Sequence, residues 1–285
     1  MPVAAPARRA EALGAALPPL VVAAERVAAT VAQGVHGRRR VGAGDSFWQF
    51  RPYVPGDAVA RIDWRQSARA GRAYVRETEW EAAQTVLLWR DAGPSMRWTS
   101  GRPGTEKLAR ADLLLLALAA LLLRGGERVR LAAPGAPSLS GRPALDRLAA
   151  ALARDGAESF PLLDLPRHAE AVLIGDFLAP LPEIEALLAR LAARPVRAHL
   201  LQVLDPAEAD LPYQGRVRFR GVGREEEALI PRVETIREAY GAALARQVAG
   251  LRDLSAAAGF SVALHRTDDP PEAALLGLYT ALAPR

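Results

Sequence analysis

The stretch VLLWRDAGPSMRW, residues 86–98, decides how this chain is read. An apolar run over 86–89, closed by the turn-forming residues after Arg90, predicts a buried β-strand that ends in an acidic, hydroxyl-bearing loop. A second run, AVLIGD at 171–176, also ends on an aspartate. Strands that are apolar throughout, not alternately, are buried on both faces, which is the habit of parallel sheets. Working outward, Thr105 caps a predicted helix that Gly125-Gly126 stops, and RVRLAA (128–133), VRAHLLQVL (196–204) and SVALHR (261–266) are further strands. Helices are expected over 144–153, 183–193 and 272–281. Val233, Ile236, Tyr240, Leu244, Val248, Leu251 and Leu254 recur at three- and four-residue steps, a long amphipathic helix ending at Gly259. The expected fold is α/β, a mostly parallel central sheet with helices on both faces.

The chain has 285 residues, half of them apolar and 24% charged, which is the composition of a folded protein. It has no cysteine, which excludes disulfides and thiolate metal sites and fits a reducing compartment. The basic excess is almost entirely arginine, since Lys107 is the only lysine. The longest uncharged apolar run, Leu113 to Leu123, is far below the ~20 residues a membrane-spanning helix needs. The first residues lack the unbroken apolar core of a secretory signal. These features predict a cytoplasmic chain with no membrane span. Its expected organisation is a helical extension over 1–34, a β-rich segment over 35–82 and the α/β domain over 83–285. Leu20 to Gln33 is expected to form a helix packed on the body.

In open parallel sheets, ligands gather beyond the carboxyl ends of the strands. Asp91 and Asp176 fall there, with Ser95 in the same loop as Asp91. Carboxylate and hydroxyl oxygens are what Mg2+ or Mn2+ takes. The competing reading is that both aspartates bond to nearby backbone amides where strands end. No nucleophile has a recognisable base: Ser95 stands alone, and His36, His168, His199 and His265 lie outside any catalytic spacing. His199 and His265 fall in predicted strands, as core or edge residues. The chain is therefore not expected to be an enzyme, with metal-assisted hydrolysis at Asp91 and Asp176 as the enzymatic alternative. Between His36 and Trp80 stand nine arginines, five acids and several aromatic residues. Base stacking beside arginine makes nucleic acid one candidate ligand of this segment. The other reading is an ion-pair lattice of Asp57 and Asp63 with Arg51, Arg61 and Arg69, around a small core of Tyr53 and Trp64.

VLLWRDAGPSM, followed by a helix, a strand, a helix and VLIGDF, resembles a von Willebrand factor type A domain. The segment GAGDSFWQFRPYVPGDAVARIDWRQSARAGRAYVRETEWE, residues 42–81, is similar to the signature of the domain of unknown function 58 family. Its elements are Arg51 and Tyr53, then Pro55, Gly56 and Asp57, then Arg61, Asp63 and Trp64, and finally Arg69. LDPAEADLP (204–212) matches a later pattern of the same family. The resemblance implies a metal-dependent adhesion site in which Asp91 is the first aspartate, Ser95 the second serine and Asp176 the distal aspartate. Gly93 stands where the first serine belongs, and no threonine follows RVRLAA, where Ser138 and Ser140 are the nearest hydroxyls. The implied site is degenerate, with an incomplete ligand set. The resemblance also implies a non-catalytic adaptor that works with a MoxR-type AAA+ ATPase in assembling or activating a client complex. Arg90, Arg97, Ser138 and Ser140 are the residues expected on its partner-binding rim, where arginine pairs with a partner's acid.

Overall fold

A computed structural model describes residues 22, 24–29, 31–32, 41–55, 57, 59, 62–79, 85–101, 105–141, 143–154, 169–221 and 227–282. The chain divides into two compact units, residues 36–83 and residues 1–35 with 84–285.

The larger unit holds five strands, β3 (Thr85–Arg90), β4 (Arg128–Leu131), β5 (Glu170–Gly175), β6 (Arg197–Leu204) and β9 (Ser261–Arg266). They lie in the order β4-β3-β5-β6-β9, and every pairing is parallel. Successive side chains of a strand point to opposite faces, and each face has its own helical cover. Val86 and Leu88 of β3, with Val172 and Ile174 of β5, enter one core with α3 (Lys107–Arg124), α4 (Ala144–Leu152) and α8 (Pro271–Ala281). Leu87 and Trp89, with Ala171 and Leu173, enter the other with α5 (Leu181–Ala192) and α7 (Arg237–Ala257). The N-terminal helix α1, described at 22, 24–29 and 31–32, adds Ala24, Val27, Ala28 and Val31 to the first core. The continuous apolar run of α3 follows from this arrangement. A helix covered on nearly every side has no polar face to show, and no helix among the described residues is long and apolar enough to cross a membrane.

Two short strands, β7 (Val217–Phe219) and β8 (Ala228–Ile230), pair antiparallel, and α6 (Pro206–Asp210) follows β6 directly. Thr105 does not cap α3. The cap residue is Glu106, whose side chain makes no capping bond, and the helix opens on Lys107.

In the smaller unit, β1 (Val41–Pro52) and β2 (Tyr74–Glu79) pair antiparallel, as the β-rich reading requires. Between them lies a helix that the β-rich reading does not include, α2 (Trp64–Ala70). The Asp63 side chain caps it and Gly71, at φ 67°, ends it. The expected ion-pair lattice reduces to one bidentate pair among the described residues. Arg51 donates to both oxygens of Asp57 at 2.7 and 2.8 Å, and Asp57 also accepts from the Val54 amide, closing the turn at Pro55. Asp63 serves as a cap, Arg69 is exposed, and Trp64 is 67% exposed, so it is no part of a core with Tyr53. Gly56 and Arg61 lie outside the described residues, as do His36 and His168.

Candidate functional site

Three neighbouring strands deliver acids to one end of the sheet. Asp91 follows β3, Asp176 follows β5 and Asp205 follows β6. The Asp91 amide continues the ladder by donating to the Ile174 carbonyl at 2.8 Å, so Asp91 lies beside Gly175. A Cβ at Gly175 would sit 3.4 Å from that of Asp91.

The chain turns sharply after Asp176. Phe177 has φ 47°, a left-handed conformation that a bulky residue holds only when its surroundings impose it. Those surroundings are two glutamines. Gln202 donates to the Asp176 carbonyl at 2.8 Å, and Gln247 donates to the carbonyls of Phe177 and Ala179 at 3.0 and 2.8 Å. The Asp176 carboxylate, in turn, accepts from Lys107. Lys107 Nζ lies 3.0 Å from Asp176 Oδ2 and 2.5 Å from Glu208 Oε1, and the lysine is completely buried. Glu208 Oε2 accepts from the Asp205 amide at 2.9 Å, while Asp205 Oδ1 accepts from the Ala207 amide at 2.7 Å, a capping box that starts α6. Asp205 Oδ2 accepts from the Ser100 amide at 3.0 Å, tying the loop after β3 to the end of β6. Burial pushes the Glu208 carboxyl above its ordinary range, and Lys107 only partly offsets this. Neither Lys107 nor Glu208 was among the candidate residues, because their partners are 69 and 101 positions apart in sequence.

The residues expected to hold a metal do not fit one as they stand. Asp176 is engaged by an ammonium. Asp91 Oδ1 accepts from the Gly93 amide at 2.7 Å, and a Cβ at Gly93 would lie 3.0 Å from that same oxygen. Ser95 is half-buried in the 3-10 turn Pro94–Arg97. Among the described residues, no group of three or more acids and histidines is arranged to hold an ion.

The expected rim is also rearranged. Arg90 shares the strand parity of Val86 and Leu88, so it points into the helical layer and not toward solvent. It is 2% exposed, donating to Asp112 at 2.7 Å and to the Leu152 carbonyl at 2.7 Å. Ser138 and Ser140 are exposed but lie along the outer edge of β4, away from the strand ends. Leu139 between them is buried and exchanges both backbone bonds with Val129, which covers an otherwise open sheet edge. Arg97 remains exposed, its Nε donating to the Ala92 carbonyl. Beside it, at the same end of the sheet, opens a cleft of about 620 Å³ lined by Trp98, Glu208, Leu211, Tyr213, Phe219 and Tyr240.

The two described histidines are structural. His199 Nδ1 shares a hydrogen bond with Ser261 Oγ at 2.8 Å, and His265 Nε2 lies 3.1 Å from Arg110. Burial pushes each imidazole down to about 4, with Arg197 adding to the effect at His199 and Arg110 at His265. Both rings are neutral when folded and return to an ordinary 6.5 when unfolded, so the unfolded chain binds more protons between those values. Stability should therefore fall as pH drops from 6.5 toward 4, by about 2 kcal/mol per histidine near pH 5. Urea midpoints measured near neutrality and near pH ~5 check this, and His199→Gln should remove about half of the difference.

The larger unit is thus a parallel α/β sheet whose strand ends hold one buried ammonium between two carboxylates, with an exposed arginine and an aromatic cleft at the same end. The chain belongs to the family described as protein of unknown function DUF58, whose pattern matches residues 49–250. Uncharacterized proteins of Mycobacterium tuberculosis and Mycobacterium bovis are each 31% identical to it over 238 residues, covering 75% of this chain and 73% of theirs. Among solved structures, it is similar to the crystal structure of conserved hypothetical protein BatB from Bacteroides thetaiotaomicron. That likeness has a TM-score of 0.38 and 14% identity, and covers 70% of this chain and 97% of the other.

Proposed function

We propose that this chain is a non-catalytic interaction module, an adaptor of the von Willebrand A type that recognises its partner at the carboxyl end of the sheet. One observation carries the reading. The buried acids at that end are spent internally, Asp176 on Lys107 and Asp205 on backbone amides, while Arg97 and the aromatic cleft beside it face outward. Such a surface suits an acidic partner segment that pairs its carboxylate with Arg97 and places an apolar side chain in the cleft. The resemblance to the family supplies a MoxR-type AAA+ ATPase, or its client, as the partner to try first. Arg97→Ala should weaken that complex about ten-fold, the worth of one charge-assisted hydrogen bond, without lowering thermal stability. Asp91→Ala should weaken it only modestly, and EDTA should leave it intact. Co-purification of the ATPase with the wild-type chain and both variants, with and without EDTA, tests this. Unchanged binding by the Arg97 variant, or release by EDTA, counts against it.

A second reading places nucleic acid on the smaller unit. It is favoured by the exposure of Trp64 together with Arg65, Arg69 and Arg72. An exposed indole among guanidiniums is a stacking platform for an unpaired base. If it acts so, single-stranded DNA binds with a steep loss of affinity as salt rises, and Trp64→Ala weakens it about ten-fold. Salt-independent or absent binding rejects this reading.

A further inference from the structure

We infer that Lys107 is a resident cation, its ammonium holding the place at the strand ends where a divalent metal would otherwise balance the acids, so that the site works without a metal. The first observation is the identity of the residue. Of 37 basic residues in the chain, this is the one lysine. Arginine spreads its donors in a flat fork, whereas an ammonium radiates three donors from one atom and can reach carboxylates on two different elements. Here those carboxylates belong to Asp176, at the end of β5, and Glu208, on α6.

The second observation is the coordination. The cation is fully buried between two anionic oxygens, and the second oxygen of each acid already has a backbone donor. The Leu178 amide lies 3.4 Å from Asp176 Oδ1, and the Asp205 amide lies 2.9 Å from Glu208 Oε2. Two carboxylates completed by water are what Mg2+ ordinarily recruits, and a dication cannot share that space with an ammonium. The third observation is that the other expected ligand, Asp91, already accepts the Gly93 amide on Oδ1. Finally, Lys107 occupies the first residue of α3, where a positive charge opposes the helix dipole. Nothing in the helix calls for a cation there; the two acids do. The compensating cation therefore travels with the chain, and the sheet end keeps its geometry whatever the divalent concentration. This does not depend on the partner reading.

The test uses the full chain stripped with EDTA, with Mn2+ uptake followed by electron paramagnetic resonance and stability by thermal unfolding. The wild type should take up no stoichiometric Mn2+ and unfold at the same temperature with or without it. Lys107→Ser should unfold at a lower temperature in EDTA, bind one Mn2+, and recover part of the loss with Mn2+ or with methylammonium. A Lys107→Ser chain that folds only when one of these cations is added gives the same support. One-to-one Mn2+ uptake by the wild type overturns the inference. So does a Lys107→Ser chain as stable as the wild type in EDTA, or one that neither cation stabilises.

Discussion

Replacing Lys107 with methionine is expected to lower folding stability by about 3–5 kcal/mol, the usual cost of stranding buried charges by removing one partner. Asp176 would lose the ammonium on Oδ2, and Glu208, already pushed upward by burial, would lose the group that partly offsets this. In a chain of this size that loss appears as a fall in melting temperature of roughly 10 °C. Removing the whole cluster should hurt far less than removing its centre, because the desolvation of three charges disappears along with their attraction. Lys107→Met combined with Asp176→Leu and Glu208→Leu is therefore expected to recover most of the loss. A single variant as stable as the wild type would mean that the cluster is not buried as described.

The second large effect falls on Arg90. Arg90→Met should cost about 3–5 kcal/mol, because Asp112 and the Leu152 carbonyl both lose a buried charged donor. The contrast with Arg97 separates two roles seven positions apart in one loop region. Arg90→Met should lower the urea midpoint and leave the partner affinity of the folded fraction unchanged, whereas Arg97→Ala should do the reverse. If Arg90→Met instead unfolds like the wild type but fails to bind, the side chain belongs on the surface.

The order of strands and helices in the larger unit is legible in the sequence because parallel strands buried on both faces leave continuous apolar runs. VLLW and AVLIG show this, and the turn residues after them mark the carboxyl ends where ligands gather. The short elements are harder. DPAEAD carries a capping box with proline at the first helical position, yet a five-residue helix has too few turns for any period to show. Asp63 and Gly71 bracket α2 with an ordinary start and stop, but the aromatic residues around them favour a strand reading. Arg90 was decidable in principle, since strand alternation places it on the face of Val86 and Leu88. Lys107 was not. Its two partners reach it only through the topology of the sheet, and the local trace it leaves is its singularity among arginines.

That singularity also offers the most direct measurement. With lysine labelled at Nζ by 15N, the protein should give one side-chain ammonium signal. A buried ammonium between two carboxylates should exchange its protons slowly with water at neutral pH and keep its shift when Mg2+ is added. A signal lost to rapid exchange, or one that moves with Mg2+, would contradict the account.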